Sequence, residues 1–470
     1  MRAILDRAAQ NRPARIQTAR SSWLLAATAL LSVSACAVYR PEPLAPEADT
    51  VLRGRDVSAL AGSAAALRHP RLAPVVIDPT KPLTPEAVGV LAVVGDPDLK
   101  AQRAAAGVAS AQLFAAGLLP DPQVNLSYDG RLSGPDPTNG WAVALAYELN
   151  SLRTHGVEVE SARAARDQAR LDLAWQEWQV AGQGRLLAAR VQGLSRVAEL
   201  ALDAKAAADA ALARALQSAA RGDVRADEVE TRRLAAADAA DKARQSQSDL
   251  ETARLDLDKL LGLPPETVVA LAPIGPAADL NVDAEVLFER ARTLRLDLLA
   301  LEAGYHSQEA ATRKAVMDQF PSLQLTLTRT QDTARNQTFG PAVNFTLPVW
   351  SRNRGGIAIA RATRAQLRAE YAARVFQTRA DIAELAGALR LEGRRRAEVA
   401  AQIGPFHALV RDTEAAARGG DVARTTAEAV RQSLLDKEAA LAVLDEAMAE
   451  QETTLELAVG SLIPEIHHAP

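Results

Sequence analysis

Two short stretches of this chain alternate apolar and polar residues, and two very long stretches do not. Pro122-Gln123-Val124-Asn125-Leu126-Ser127-Tyr128 has period two, the signature of a strand. A turn follows in Ser133-Gly134-Pro135-Asp136-Pro137-Thr138-Asn139-Gly140. Then Trp141, Val143, Leu145, Tyr147 and Leu149 alternate with Ala142, Ala144, Ala146 and Glu148. The pattern recurs in Leu323, Leu325 and Leu327 against Gln324, Thr326 and Thr328, with a turn around Asp332 to Thr338. Phe339, Val343, Phe345 and Leu347 make the return against Asn344 and Thr346. This predicts hairpins at 122–149 and 321–348, with strands of about ten residues. Tilted, that length spans a bilayer as part of a β-barrel, the small or polar face towards water and the apolar face towards lipid. A soluble sandwich hairpin alternates in the same way, so the helices decide between the two.

Each hairpin is followed by a helical stretch too long for a globule. Leu152 to Ala219 has no proline over about 68 residues, which is about 100 Å of helix. Arg352 to Arg418 is as long, interrupted only by Gly404-Pro405. Each run ends in a Gly-Asp pair, Gly222-Asp223 and Gly420-Asp421. The glycine suits a left-handed helix end, and the aspartate suits the cap of the next helix. Shorter helices return over Val224–Leu261, stopped by Pro264-Pro265, and Val422–Val459, stopped by Gly460 and Pro464. Helical pieces also precede each hairpin. Pro85 to Leu118 breaks at Gly95-Asp96-Pro97, and Asp283 to Asp318 breaks near Arg295-Leu296-Asp297. Ala204 to Ala215 supplies a narrow seam for close helix approach, and rods of this length must lie side by side in a bundle or tube. One offset relates the halves: Trp141, Leu145, Tyr147, Leu149 and Leu152 match Phe339, Val343, Phe345, Leu347 and Trp350, all 198 residues on, as do the two Gly-Asp pairs. The chain therefore divides into a repeat over 84–278 and a second over 279–470 that includes the C-terminal tail.

Composition fits thin helical layers. Hydrophobic residues make up 48% but aromatics only 4%, and alanine is about a fifth of the chain. With 24% charged residues and a mean hydropathy of -0.08, the chain is neither disordered nor a polytopic helical membrane protein. A net charge of -4 argues against nucleic acid. The N-terminus reads as a processing segment: Arg2, Arg7, Arg12, Arg15 and Arg20 precede an apolar run from Trp23 to Leu31. Val33-Ser34-Ala35-Cys36 resembles the bacterial lipobox, which implies cleavage after residue 35 and acylation of Cys36, the chain's single cysteine. Cleavage would leave a mature chain near -8. Ala37 in the next position favours outer-membrane sorting by the same resemblance. Residues 36–83 are rich in proline and read as an extended arm lying on the body.

The order of helix pair, hairpin, long helix, glycine turn and shorter helix, made twice, resembles the TolC-like outer-membrane efflux proteins, in their lipoprotein form. The likeness covers about Thr84 to Leu462. Its most specific parts are Leu119-Pro120-Asp121-Pro122 and Phe320-Pro321-Ser322-Leu323 leading into strands, Leu347-Pro348-Val349-Trp350 leaving one, and the Gly-Asp tips. The chain departs from the family at the second tip, where Thr426-Ala427-Glu428 replaces a Leu-Asp segment and Arg418-Gly419 replaces an aromatic. The resemblance implies a mainly α fold with a small β part and a homotrimer. Each protomer would give four strands to a twelve-stranded barrel and its helices to a periplasmic coiled-coil tunnel. The strands agree independently, because four cannot close a barrel and open edges are not tolerated in lipid.

The implied function is passive conduction, with no enzyme activity and no cofactor. A tripartite efflux system would join this exit duct to a periplasmic adaptor and an inner-membrane transporter of RND type. A duct for type I protein secretion is the near alternative, and a periplasmic coiled-coil scaffold or adaptor lipoprotein the distant one. Gly222, Asp223, Gly420 and Asp421 become candidates for the periplasmic tip, its gate and the adaptor contact. The aspartates are either charges at the entrance or plain helix caps. Tyr128, Trp141, Tyr147, Phe339, Phe345 and Trp350 are candidates for aromatic girdles at the lipid boundary. No nucleophile elbow or acid–base pair stands out. Gly182-Gln183-Gly184 lacks a third glycine and lies inside a helix. Trp175 and Trp178 suit packing, Arg394-Arg395-Arg396 a solvated helix face, and His467-His468 a solvated tail rather than a metal site.

Overall fold

The computed structural model describes residues 39–44, 56–130, 132–265, 267–273 and 283–463. The expected signal segment 1–35, Cys36 and the tail histidines lie outside the described residues. The chain divides into two units, Met1–Arg53 and Gly54–Pro470. In the first unit residues 39–44 are exposed and lack regular structure.

The second unit opens with α1 (Val57–Ala65). One repeat follows in α2 (Pro85–Gly95), α3 (Pro97–Ala116), β1 (Gln123–Asp129), β2 (Gly140–Glu148), α4 (Leu149–Ala220) and α5 (Ala226–Leu261). The other is α6 (Ala284–Leu294), α7 (Leu296–Met317), β3 (Leu323–Gln331), β4 (Gln337–Phe345), α8 (Arg354–Gly419) and α9 (Arg424–Val459). The same order occurs twice. Proline starts both early helices of the first repeat, where a missing N–H costs nothing. Thr84 and Asp96 cap them by accepting from the amides of Ala87 and Asp98 at 3.2 and 2.8 Å. Among the described residues, no helix is long and apolar enough to cross a membrane.

Three expectations change. The arm is not wholly extended, because Asp56 caps α1 and Leu60 and Ala64 of that helix are buried. Gly404-Pro405 does not interrupt α8, which runs 66 residues through Pro405. Pro405 cannot bond the carbonyl of Ala401, but Ala401 is exposed, so that carbonyl can turn to water. The stop after Leu261 is Gly262 at φ 64°, ahead of the prolines.

At 72 residues, α4 is about 108 Å long. It packs on α2, α3, α5, α7 and α9. Glycine permits the closest of these contacts. A Cβ on Gly182 would fall 2.3 Å from the Leu457 side chain, and one on Gly193 2.3 Å from the Glu446 carboxylate, both on α9. Gly184 instead meets α2, where Gly89 in turn lies against the Ala181 carbonyl. The glycines of Gly182-Gln183-Gly184 therefore serve two different helices. Within Ala204–Ala215 only Ala211 is buried; its neighbours help line an open groove of about 1200 Å³ between the two long hairpins.

Ionic contacts cross the seam between α4 and α9. Arg185 reaches the fully buried Glu456 at 2.6 Å, and Glu456 also accepts the Ile463 amide at 2.8 Å. Burial and the neighbouring Glu450, partly offset by Arg190, push Glu446 up to about 7. Each repeat has its own apolar core. One gathers Leu60, Leu91, Ala188, Leu257 and Leu261; the other gathers Phe288, Ile382, Leu389, Met448, Leu455 and Ile463. Trp178 is buried, and Trp175 lies under the Arg295 guanidinium at 4.7 Å. Arg395 and Arg396 pair with Glu392 and Asp445, and Arg394 is exposed.

The arm ties the repeats together. Leu83 bonds Ala270 and Ala272 at 2.8 Å each, in a parallel bridge to the inter-repeat segment. The Arg71 guanidinium donates to the Leu294 carbonyl at 2.8 Å. His69 Nε2 donates to Ala174 O at 2.8 Å, while Nδ1 accepts the amides of Arg71 and Leu72 at 3.0 Å. That bonding requires a neutral ring, and burial lowers its pKa from 6.5 despite Glu177 nearby. The folded state therefore binds fewer protons than the unfolded chain as pH falls through 6.5. The stabilisation is complete above that value and is lost below it, by at most about 1.4 kcal/mol per pH unit. His69→Gln should flatten the stability profile between about pH 7 and about pH 5, measured by proteolysis of the arm at each pH. An unchanged profile would remove His69 from this role.

Candidate functional site

The four strands form one antiparallel sheet in the order β1-β2-β3-β4. Its register sorts most of the side chains onto an apolar and a polar face. On one face Val124 lies opposite Leu145, Leu126 opposite Val143 and Tyr128 opposite Trp141. That face continues through Leu145 with Leu327, Tyr147 with Leu325, Leu325 with Val343 and Leu323 with Phe345. On the other face Asn125 meets Ala144, Ser127 meets Ala142, and Ala142, Ala144 and Ala146 meet Thr330, Thr328 and Thr326. Gln324 and Asn344 complete it. Among the described residues nothing covers the apolar face: Leu126 is 72% exposed and Val343 57% exposed. A soluble sandwich would cover it.

The six candidate aromatics fall at two levels. Tyr128, Trp141 and Phe339 lie at the loop end, where Arg329 interrupts the apolar face and holds its guanidinium 5.9 Å from the Trp141 ring. Tyr147 and Phe345 lie at the helix end, and Trp350 just beyond β4 is 86% exposed. From Trp141 to Tyr147 is about 20 Å of strand. The loops join across the hairpins, with Thr138 donating to the Thr333 carbonyl and Thr333 to Asp136. β1 and β4 end the sheet, each with one edge unpaired among the described residues.

The helix tips lie at the far end of the long hairpins. Gly222 and Gly420 adopt φ of 82° and 85°, and nothing lies within 4 Å of a Cβ built on either. Backbone conformation alone asks for glycine there. The amide of Asp223 bonds Ser218 O and that of Asp421 bonds Ala416 O, both at 3.0 Å, so the two turns are alike. The aspartates do not cap the next helices. Arg225 and Ala423 occupy the cap positions, and neither makes a side-chain cap bond. Asp223 instead accepts from Arg221 at 3.0 Å, which balances its charge at the tip.

Sequence reading missed the ionic tie just above the tips. Glu428 on α9 takes Arg214 of α4 at 2.6 Å and Arg232 of α5 at 3.4 Å, holding the two long hairpins together. Periodicity gives no signal for it, because the partners are about 200 residues apart. No metal-binding group of histidine, cysteine or acidic residues exists among the described residues.

No protein-family model matches the chain, and no curated protein matches it in sequence. Solved structures do match in fold. The CmeC outer membrane channel of Campylobacter jejuni aligns at TM-score 0.68 with 15% identity, over 80% of this chain and 85% of its own. The outer-membrane channel OprN aligns at 0.66 with 18% identity, over 87% and 96%. CusC, described for its transmembrane channel formation, aligns at 0.65 with 16% identity, over 84% and 98%. The doubled hairpin and the paired long rods are common ground, and the chain has the fold of the TolC-like outer-membrane factor channels.

Proposed function

We propose that this chain is the outer-membrane exit duct of a tripartite efflux system. One observation carries the reading: a four-stranded sheet, apolar on one face and polar on the other, is mounted on helices about 100 Å long. In hydrocarbon the free edges of β1 and β4 need partners, so the sheet closes only with copies of itself. Three copies give twelve strands and a homotrimer. The apolar face then meets outer-membrane lipid, with Tyr128, Trp141 and Phe339 at one boundary and Tyr147, Phe345 and Trp350 at the other. The alanine and threonine face lines the water-filled lumen. The similar structures described as outer membrane channels support this placement.

The tunnel conducts and supplies no energy, so an inner-membrane transporter, of RND type in this reading, drives export. A periplasmic adaptor joins the two at the tips, where Gly222 and Gly420 shape the turns and Asp223 and Asp421 flank them. Acylated Cys36 adds a lipid anchor to the barrel.

Fractionation tests the whole reading. The Cys36→Ser protein should lose palmitate labelling yet stay in the outer membrane as a trimer dissociated by heat; recovery as a soluble monomer would favour a periplasmic scaffold. Leu145→Arg and Leu325→Arg should each cost about 2–4 kcal/mol near the bilayer midplane. Thr328→Arg, on the opposite face, should leave the heat-dissociation temperature nearly unchanged, and equal effects at all three sites would exclude a lipid-facing side. Gly222→Ala and Gly420→Ala should each cost about 1–2 kcal/mol in the turn, seen as faster amide exchange there while the trimer persists.

A further inference from the structure

Charge interrupts the apolar face of the sheet at one place, close to the loop end. Counted from the loops, the first row of that face runs Tyr128, Trp141, Gln331 and Gln337, each opposite the next across all four strands. The second row is Leu126, Val143, Arg329 and Phe339. Every paired residue of the face beyond that row is uncharged, down to Tyr147, Leu323 and Phe345 at the helix end. Arg329 is therefore the sole charged side chain among the paired residues of this face. It stands about 20 Å from Leu323 along β3. A guanidinium on a lipid-facing wall is costly at mid-depth and tolerated at the boundary, where it reaches headgroups.

The surroundings of Arg329 hold it without neutralising it. Its Nη2 donates to Gln337 Oε1 at 3.4 Å, and Gln337 Nε2 donates in turn to Gln331 Oε1 at 3.2 Å. The Trp141 ring lies 5.9 Å from the guanidinium. Among the described residues no carboxylate pairs with Arg329. The acidic side chains of the loops are engaged elsewhere: Asp332 accepts the main-chain and side-chain amides of Asn336 at 2.8 Å each, and Asp136 accepts from Thr333. Most of the five N–H donors of the exposed guanidinium thus remain available, and the Gln331 side-chain amide adds donors in the row above.

A planar fork with free donors, set at headgroup depth over apolar strands, fits one class of ligand, a phosphate carried on a lipid. Arginine takes phosphate through two parallel N–H···O bonds. Opposite charges attract more strongly beside hydrocarbon than in water. Leu126, Val143 and Leu327 lie beside or below the fork, where chains attached to that phosphate would run. A free phosphate ion could not use that apolar surface.

We propose that Arg329, assisted by Gln331, binds the phosphate of a lipid headgroup in the outer leaflet, with the acyl chains lying along Leu126, Val143 and Leu327. This rests on the outer-membrane placement proposed above and names a ligand for the outer boundary of the sheet.

Lipid titration tests it on the full-length trimer extracted from outer membranes in mild detergent. The probe is bisphosphorylated lipid A, and the readout is the temperature at which the trimer dissociates. Lipid A should raise that temperature, dephosphorylated lipid A should raise it less, and inorganic phosphate at equal concentration should leave it unchanged. Arg329→Gln should keep the lipid-free temperature and need about tenfold more lipid A for half the rise. Arg329→Lys should fall between the two, since it keeps the charge and loses the fork. Arg153 lies beyond the other end of the sheet, against Asn150 and the Phe320 ring, and Arg153→Gln should respond like the unaltered trimer. An Arg329→Gln response equal to that of the unaltered trimer would overturn the lipid site while the duct stands. So would an equal rise with dephosphorylated lipid A, or a rise with inorganic phosphate alone. A chain absent from the outer-membrane fraction would instead defeat the duct reading, and this proposal with it.

Discussion

A helix of 72 residues has no globule to fold around. It gains stability only from what lies beside it, because intrinsic propensity contributes little to so long an element. That constraint explains the composition. A seam about one side chain deep rewards alanine and glycine, which bring helix axes close, and offers few sites for large rings. Gly182, Gly184 and Gly193 show this most directly, since each is the point where another helix, α2 or α9, touches α4. Glycine in a helix interior costs roughly 0.5–1 kcal/mol relative to alanine, and here the close approach offsets that cost.

Thin seams leave little apolar area, so direction and register need other devices. Buried ion pairs provide them. Arg185 and Glu456 fix α9 against α4, while Arg295 holds Asp297 and the Ala458 carbonyl at the break between α6 and α7. Such pairs add little net stability, but a slipped register would leave each charge buried alone at about 3–5 kcal/mol. The arm works in the same way across the repeats, through His69 and Arg71 bonding to carbonyls on different elements.

What could be read from the sequence follows from the range of each interaction. Strand alternation, helix breaks at Asp96-Pro97 and Arg295-Leu296, and the left-handed turns at Gly222 and Gly420 are local, and the structure places them within a few residues of expectation. The aspartates after those glycines failed as caps because the turn takes three residues before the next helix begins, which moves the cap to Arg225 and Ala423. Pro405 failed as a break because an exposed helix tolerates one unbonded carbonyl where a buried one would not. Non-local contacts gave no signal. Nothing near Arg214 in sequence points to Glu428, and nothing in the alanine run from Ala204 reveals that the tightest packing lies nearer Gly182.

In the proposed ring, duplication gives two kinds of seam, one inside each chain and one between chains, and physics treats them differently. Within a chain the partner is tethered, so buried charges meet at high effective concentration and are desolvated during folding. Between chains, a charge on an outer face is hydrated until two copies meet and must then lose that water. An exposed apolar side chain such as Val108 or Ile359 carries no such penalty and gains from leaving water.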